Sequence, residues 1–336
     1  MSLYVAHWDL DKTYLRTEFD TLRDLVRTAL ERPHEKRTVP GAAPLLREIA
    51  SAGARIHILS GSPEQLRGRI EEKLRLDGAR WDRLTLKPNL RNILTLRLRA
   101  VRDQLGYKLP ALLRVRATMP EARTANGQLT PEVLIGDDAE SDAFIYSLYA
   151  DVLAGTIGDG DLEEIMRRGR VYDDDIAQAL RFARMVEKGP VVDRILIHLD
   201  RQSPPSDFLP YGHRVIPFFN YLQAAFVLHE AGRLPDEAVV RIAIDMVISH
   251  RFDAEALARS YLDLARRGHL HGHGAEPIGE AFHKLQLASK LPAAAEIEQM
   301  CERIRRIAEH AEPGSIRRKV PDYRRLVESH NRRRHR

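Results

Sequence analysis

Cysteine is nearly absent. Cys301 is the only one in 336 residues. A single thiol excludes a disulfide framework, a multi-cysteine metal centre and an iron–sulfur cluster. Long apolar runs are missing too: none approaches the ~20 residues that a membrane-spanning helix needs. The first residues, Met1 to Asp9, show no basic stretch followed by a long apolar one, so no secretion signal is read and a reducing cytoplasm is the expected compartment. Aromatic residues are few, at 6%. None interleaves the final arginines Arg332, Arg333, Arg334 and Arg336, which argues against a base-stacking platform there.

Charge of one sign is also scarce outside the C-terminus. The net charge is +5, but residues 317–336 hold nine Lys/Arg against two Asp/Glu, so the other 316 residues sum to −2. The basic balance belongs to a tail, expected to be a solvated, disordered end. Contact of that tail with nucleic acid or an anionic membrane is the alternative. What remains is a globular composition, 43% hydrophobic and 30% charged, long enough for about two domains with real cores.

The first half alternates apolar runs with helical stretches. Leu3–Trp8, Arg55–Leu59, Pro131–Ile135 and Arg194–Leu199 read as strands. Pro44–Ala52, ended by Gly53, and Pro63–Leu76 read as helices. This alternation predicts an α/β fold, a parallel sheet with helices on both faces. After Ser203 the pattern turns helical. Phe218, Phe219, Leu222 and Phe226 form one stripe. A second runs from Asp236, a third is capped by Asp253, and a fourth carries Ile297, Cys301 and Ile304. The expected division is an α/β domain over 1–203, a helical region over 204–316 and the tail over 317–336.

In parallel sheets ligands bind where strands end, so the strand ends carry the argument. Strand one runs into Asp9-Leu10-Asp11-Lys12-Thr13. Alone, that D-x-D-x-T pattern is weak, since roughly one chain in twenty of this length would show it by chance. Strand two ends in Ser60-Gly61-Ser62-Pro63, where a hydroxyl and free N–H groups at a helix start suit an anion. Strand three ends in Gly136-Asp137-Asp138 with Asp142 close behind. Carboxylates from separate strand ends suit a hard cation such as Mg²⁺. A lysine between these motifs, Lys108 or Lys87, would offset phosphate charge. Two aspartates two residues apart offer a nucleophile and an acid/base partner.

In that order, Asp9-x-Asp11-x-Thr13, the Ser60 strand end, a lysine and Gly136-Asp137-Asp138…Asp142 resemble the four motifs of the haloacid dehalogenase superfamily. Leu59-Ser60-Gly61-Ser62-Pro63, Gly106-Tyr107-Lys108 and Leu134 to Asp138 with Asp142 and Tyr146 resemble, more narrowly, its phosphatidate-phosphatase catalytic-domain family. Lys12 stands where that family's first motif carries an acidic residue. The likeness covers about residues 3–200. It implies a Mg²⁺-dependent phosphomonoester phosphatase. Asp9 would form an aspartyl-phosphate, and Asp11 would be general acid and then base. Thr13, Ser60 and Gly61 would bind the phosphoryl group and support its loop, and Lys108 would pair with nucleophile and phosphate. Asp9, the Asp11 carbonyl, Asp137 and Asp142 would hold the metal. The substrate could be phosphatidate, a nucleic-acid end or a phosphoprotein. Short intervals between the motifs predict a core with almost no cap domain and an open site, over which the helical half could act as a lid. A phosphate-binding module without turnover and a phosphotransferase to a non-water acceptor are the alternatives.

Other conspicuous residues have plainer readings. Asp173-Asp174-Asp175 suits a helix N-terminus. Asp138 and Glu140 read as solvated acids at a helix start. His269, His271 and His273 lie in a Gly-rich loop with no acidic or cysteine partner at ligand spacing, so a loop is favoured over a metal site. Cys301 reads as a buried small hydrophobe.

Overall fold

The computed structural model describes residues 3–10, 13–14, 39–87, 101–139, 141–310 and 320–332. A parallel six-stranded sheet runs through the molecule. Its strands are β1 Val5–Asp9, β2 Arg55–Pro63, β3 Arg83–Lys87, β4 Glu132–Asp137, β5 Val192–His198 and β6 Val215–Phe218, in the order β3-β2-β1-β4-β5-β6. Every residue of β1 and β4 is buried. Strands covered on both faces read as continuous apolar runs, which is why the sequence betrays them.

The helices, numbered among the described residues, are α1 Ala42–Ser51, α2 Arg67–Leu76, α3 Val101–Thr118, α4 Asp142–Ala154, α5 Asp159–Arg168 and α6 Asp173–Met185. The C-terminal region supplies α7 Tyr221–Glu230, α8 Asp236–His250, α9 Ala254–Arg266, α10 Ala275–Ala288, α11 Ala294–His310 and α12 Tyr323–Arg332. The local signals act as read. Asp253 accepts from the Ala256 N–H at 2.7 Å and caps α9. Asp173, Asp174 and Asp175 fill the first turn of α6. Cys301 is buried on the inner stripe of α11, between Ile297 and Ile304.

Two hydrophobic layers sandwich the sheet. One joins Trp8, Ile56, Ile58, Val133 and Ile135 to α1, α2 and the helices α7–α11. The other joins Leu134, Ile195 and Ile197 to α3–α6 and to Tyr323 and Val327 of α12. The helical half is therefore one face of the sandwich, tied across by Arg241 to both oxygens of Glu48 at 2.7 Å each.

Three segments differ from the sequence reading. The sheet continues beyond residue 203, because Val215–Phe218 forms β6 beside β5. Only Phe218 of the pair Phe218-Phe219 turns into the core; Phe219 is 43% exposed. The helix expected from Pro63 begins at Arg67, because β2 itself runs on to Pro63. The tail expected to be disordered contains α12. Tyr323 donates to Asp151 at 2.5 Å, Val327 is buried, and Arg324 reaches Asp161 and Glu164 at 2.7 Å each. Among the described residues no helix is long and apolar enough to cross a membrane.

Candidate metal centre at the sheet's carboxyl edge

The strand order reverses between β1 and β4, and such switch points open a crevice at the strands' carboxyl ends. Asp9 closes β1 and Asp137 closes β4. Asp142 opens α4, five residues past the end of β4 at Asp137. One carboxylate oxygen from each of Asp9, Asp137 and Asp142 lies within 4.8 Å of the others. Three buried aspartates at this edge form a group that can hold a metal ion. It is the one such cluster of His, Cys, Asp or Glu among the described residues.

Lys108 reaches this group from α3. Its Nζ lies 2.9 Å from Asp9 Oδ1 and 2.5 Å from Asp142 Oδ1. Asp9, Asp137, Asp142 and Lys108 are each at most 1% exposed. Three carboxylates and one ammonium sum to −2, and buried charge is costly unless balanced. A dication restores that balance with the oxygen ligands a hard ion takes. The donor set thus fits Mg²⁺ or a similar cation.

Backbone and hydroxyl donors order the carboxylates. Asp137 Oδ1 accepts from the Ala139 N–H at 2.6 Å, and Asp142 Oδ2 accepts from the Asp137 N–H at 3.2 Å. Gly136 is needed for this approach, since a Cβ there would stand 2.7 Å from Asp142 Cβ. Thr13 is fully buried, with its hydroxyl 3.3 Å from both Asp9 Oδ2 and Asp137 Oδ2. Nearby, Tyr146 of α4 is held well above the usual phenol pKa by burial and then by the charge of Asp142. It stays a neutral hydroxyl.

Ser60 is buried on β2, one step beyond Leu59, which pairs in register with Asp9. Its Oγ accepts from the Ser62 N–H at 2.9 Å, and its carbonyl accepts from Tyr107 Oη at 2.9 Å. Ser60 and Gly61 sit inside the strand, so the helix-start amides expected for anion binding are not there. The space beside Gly61 is open. Lys87 closes β3 and lies 5.8 Å from the Tyr107 ring. Of the two lysines, Lys108 is the one placed against the aspartates. Asp11 lies outside the described residues. Thr13, Ser60 and Lys108 are buried with the aspartates, whereas Gly61, Lys87 and Tyr107 are part-exposed.

Several features resolve as structure. Asp138 accepts from the N–H groups of Arg201 and Ser203 at 2.9 and 3.1 Å, pinning the chain after β5. In the histidine loop, Glu230 accepts from the N–H groups of His271 and Gly272 at 2.8 and 3.1 Å. Burial pushes His269 down to about 3, and the His271 and His273 rings stand 6.5 Å apart.

Sequence reasoning missed Tyr221. From the start of α7 its hydroxyl donates to the Thr13 carbonyl. Burial, then the charges of Asp137 and Asp9, hold its pKa well above the ordinary value, so it remains a donor. A partner 208 residues away leaves no local signal. Comparison with known proteins gives no match to this chain, whether among family models, curated proteins or solved structures.

Proposed function

We propose that the protein is a Mg²⁺-dependent phosphatase that cleaves a phosphomonoester through an aspartyl-phosphate on Asp9. One observation carries the reading: Asp9, Asp137 and Asp142 converge at the switch point with Lys108 between Asp9 and Asp142. The order of the motifs along the chain supports it.

In this reading an Asp9 carboxylate oxygen attacks phosphorus as the ester oxygen leaves. Asp11, two residues on, gives that oxygen a proton and later takes one from the water that attacks the acyl phosphate. Lys108 stabilises negative charge on Asp9 and the phosphoryl group. Thr13 fixes the orientation of Asp9, and Ser60 and Gly61 face the phosphoryl oxygens from the neighbouring strand. A cation held by Asp9, Asp137 and Asp142 would neutralise phosphoryl charge.

The test is phosphate release by the wild-type chain and Asp9→Asn, each with Mg²⁺ and with EDTA. The substrates are p-nitrophenyl phosphate, phosphatidate, a 5′-phosphorylated oligonucleotide and a phosphopeptide. Mg²⁺-dependent release that Asp9→Asn abolishes is the expected result, and the preferred substrate names the class. Release unaffected by Asp9→Asn would overturn the mechanism. Phosphate binding with no release from any ester would favour the binding module. Labelled phosphate appearing on an acceptor other than water would favour the transferase.

A further inference from the structure

The acidic centre draws on the first 142 residues, yet the backbone of Thr13 beside it accepts a hydrogen bond from the helical half. Tyr221 Oη donates to the Thr13 carbonyl, and the Thr13 hydroxyl lies 3.3 Å from both Asp9 Oδ2 and Asp137 Oδ2. The ring is held as tightly as the hydroxyl. It stacks on Trp8, the residue before Asp9, at 5.7 Å and 11°. It also stacks on His198, the strand partner of Asp137, at 5.5 Å and 28°. Gly41, at φ 78°, makes room for it: a Cβ there would meet Tyr221 Cβ at 3.0 Å. The turn it grips is fixed elsewhere as well. The Tyr14 N–H donates to the Leu10 carbonyl at 3.0 Å, and Tyr14 Oη donates to Asp77 at 2.9 Å.

We propose that Tyr221 is a positioning residue for the acidic centre. By holding the Thr13 carbonyl it sets the Thr13 hydroxyl between Asp9 and Asp137, and so keeps two carboxylates at cation-binding separation. The helical half thereby tunes a site built by the α/β half. This inference rests on the reading that the three aspartates bind a divalent cation. Partners that orient ligands commonly matter about 10–100-fold for metal affinity.

The experiment titrates the full chain with Mn²⁺ alone, followed by calorimetry and by the electron paramagnetic resonance signal of free Mn²⁺. The variants are Tyr221→Phe, which keeps the ring and removes the hydroxyl, Thr13→Val, and the double variant. Tyr221→Phe is expected to bind Mn²⁺ about tenfold more weakly, with its near-ultraviolet circular dichroism unchanged. Thr13→Val is expected to weaken binding similarly, and Tyr221→Phe to add nothing in its background, because the two act in series. Equal affinity in wild type and Tyr221→Phe would overturn the inference and leave the metal centre standing. So would independent, additive losses. If Tyr221→Phe fails to fold, unchanged affinity in Thr13→Val would still overturn it. A folded wild type that binds no Mn²⁺ would instead remove the acidic-centre reading on which the inference stands.

Discussion

Lys108 holds three roles that pull in different directions. It lies between two of three buried carboxylates, it offsets their charge, and it competes with any cation they bind. Lys108→Met keeps the side chain's length and removes the ammonium. Breaking a buried ion pair from one side costs about 3–5 kcal/mol, so the metal-free variant should unfold at markedly lower urea. The same change makes the site more negative, so its Mg²⁺ affinity should rise by an order of magnitude or more. On the proposed phosphatase mechanism, turnover should fall about 10²–10³-fold, as when one transition-state donor is removed. Weaker Mg²⁺ binding in Lys108→Met would contradict the placement. His57 supports a different prediction. It is 4% exposed, and burial, then the charges of His7 and Arg83, push it down to about 3. Unfolded, it titrates near ~6.5. Between those values the unfolded chain takes up a proton that the folded chain refuses, so stability is full above ~6.5 and declines as pH falls toward 3. One such group contributes up to ~1.4 kcal/mol per pH unit. Urea midpoints between pH 7.5 and pH 5 should fall less steeply in His57→Leu than in wild type. Identical slopes would show that His57 takes its proton in the fold.

Helices α3 and α4 each deliver one charged group to the site, Lys108 and Asp142, and both lie against α12. Tyr323 packs edge-on against Phe144, two residues after Asp142, with ring centroids 5.9 Å apart. Gly169 meets both Leu105, three residues before Lys108, and Val327: a Cβ there would be 3.1 and 3.3 Å from their methyl groups. Helix α12 therefore packs against both of the helices that supply these charged groups. Val327→Asp places a charge at a fully buried position, and undocking the helix is its cheapest relief. A loss of about 1–3 kcal/mol is expected. Faster tryptic cleavage at Arg324 and Arg325 should accompany it, since these bonds are exposed once the helix leaves. Cleavage at the wild-type rate would mean that α12 does not depend on Val327. The sequence hid this helix for a physical reason. Tyr323 and Val327 are spaced one turn apart, a stripe of two residues in a segment dominated by arginine, so charge masks the periodicity. Elements with several buried positions, such as the Ile297–Cys301–Ile304 stripe of α11, were legible.

Across the chain, legibility followed burial and locality. The central strands were readable because both their faces are covered, and the acidic centre because each motif sits at a strand end. The edge strand β6 was not. It is four residues long, contains Pro217, and runs into the apolar start of α7, so its Phe218 and Phe219 looked like part of a helical stripe. Proline is tolerated there because an edge strand need not donate on its outer side. The Tyr221–Thr13 bond was illegible for the opposite reason: it is tertiary, with nothing local to announce it. Both features mean that a cut after Ser203 does not fall between independent parts. It removes β6 and α7–α11, which share one continuous core with Trp8, Ile56, Ile58, Val133, Ile135 and Leu196, and leaves only α1 and α2 on that face. Uncovering a large apolar side chain costs about 1.5–3 kcal/mol. Even partial uncovering of these six positions takes a large share of the ~5–15 kcal/mol that stabilises a typical domain. The 1–203 chain should therefore lack a near-ultraviolet circular dichroism signal, bind anilinonaphthalene sulfonate and release no phosphate. A cooperative unfolding transition in 1–203 would show that the sheet is stable with α1 and α2 alone on that face, and would leave the helical half free to serve the site in some other way.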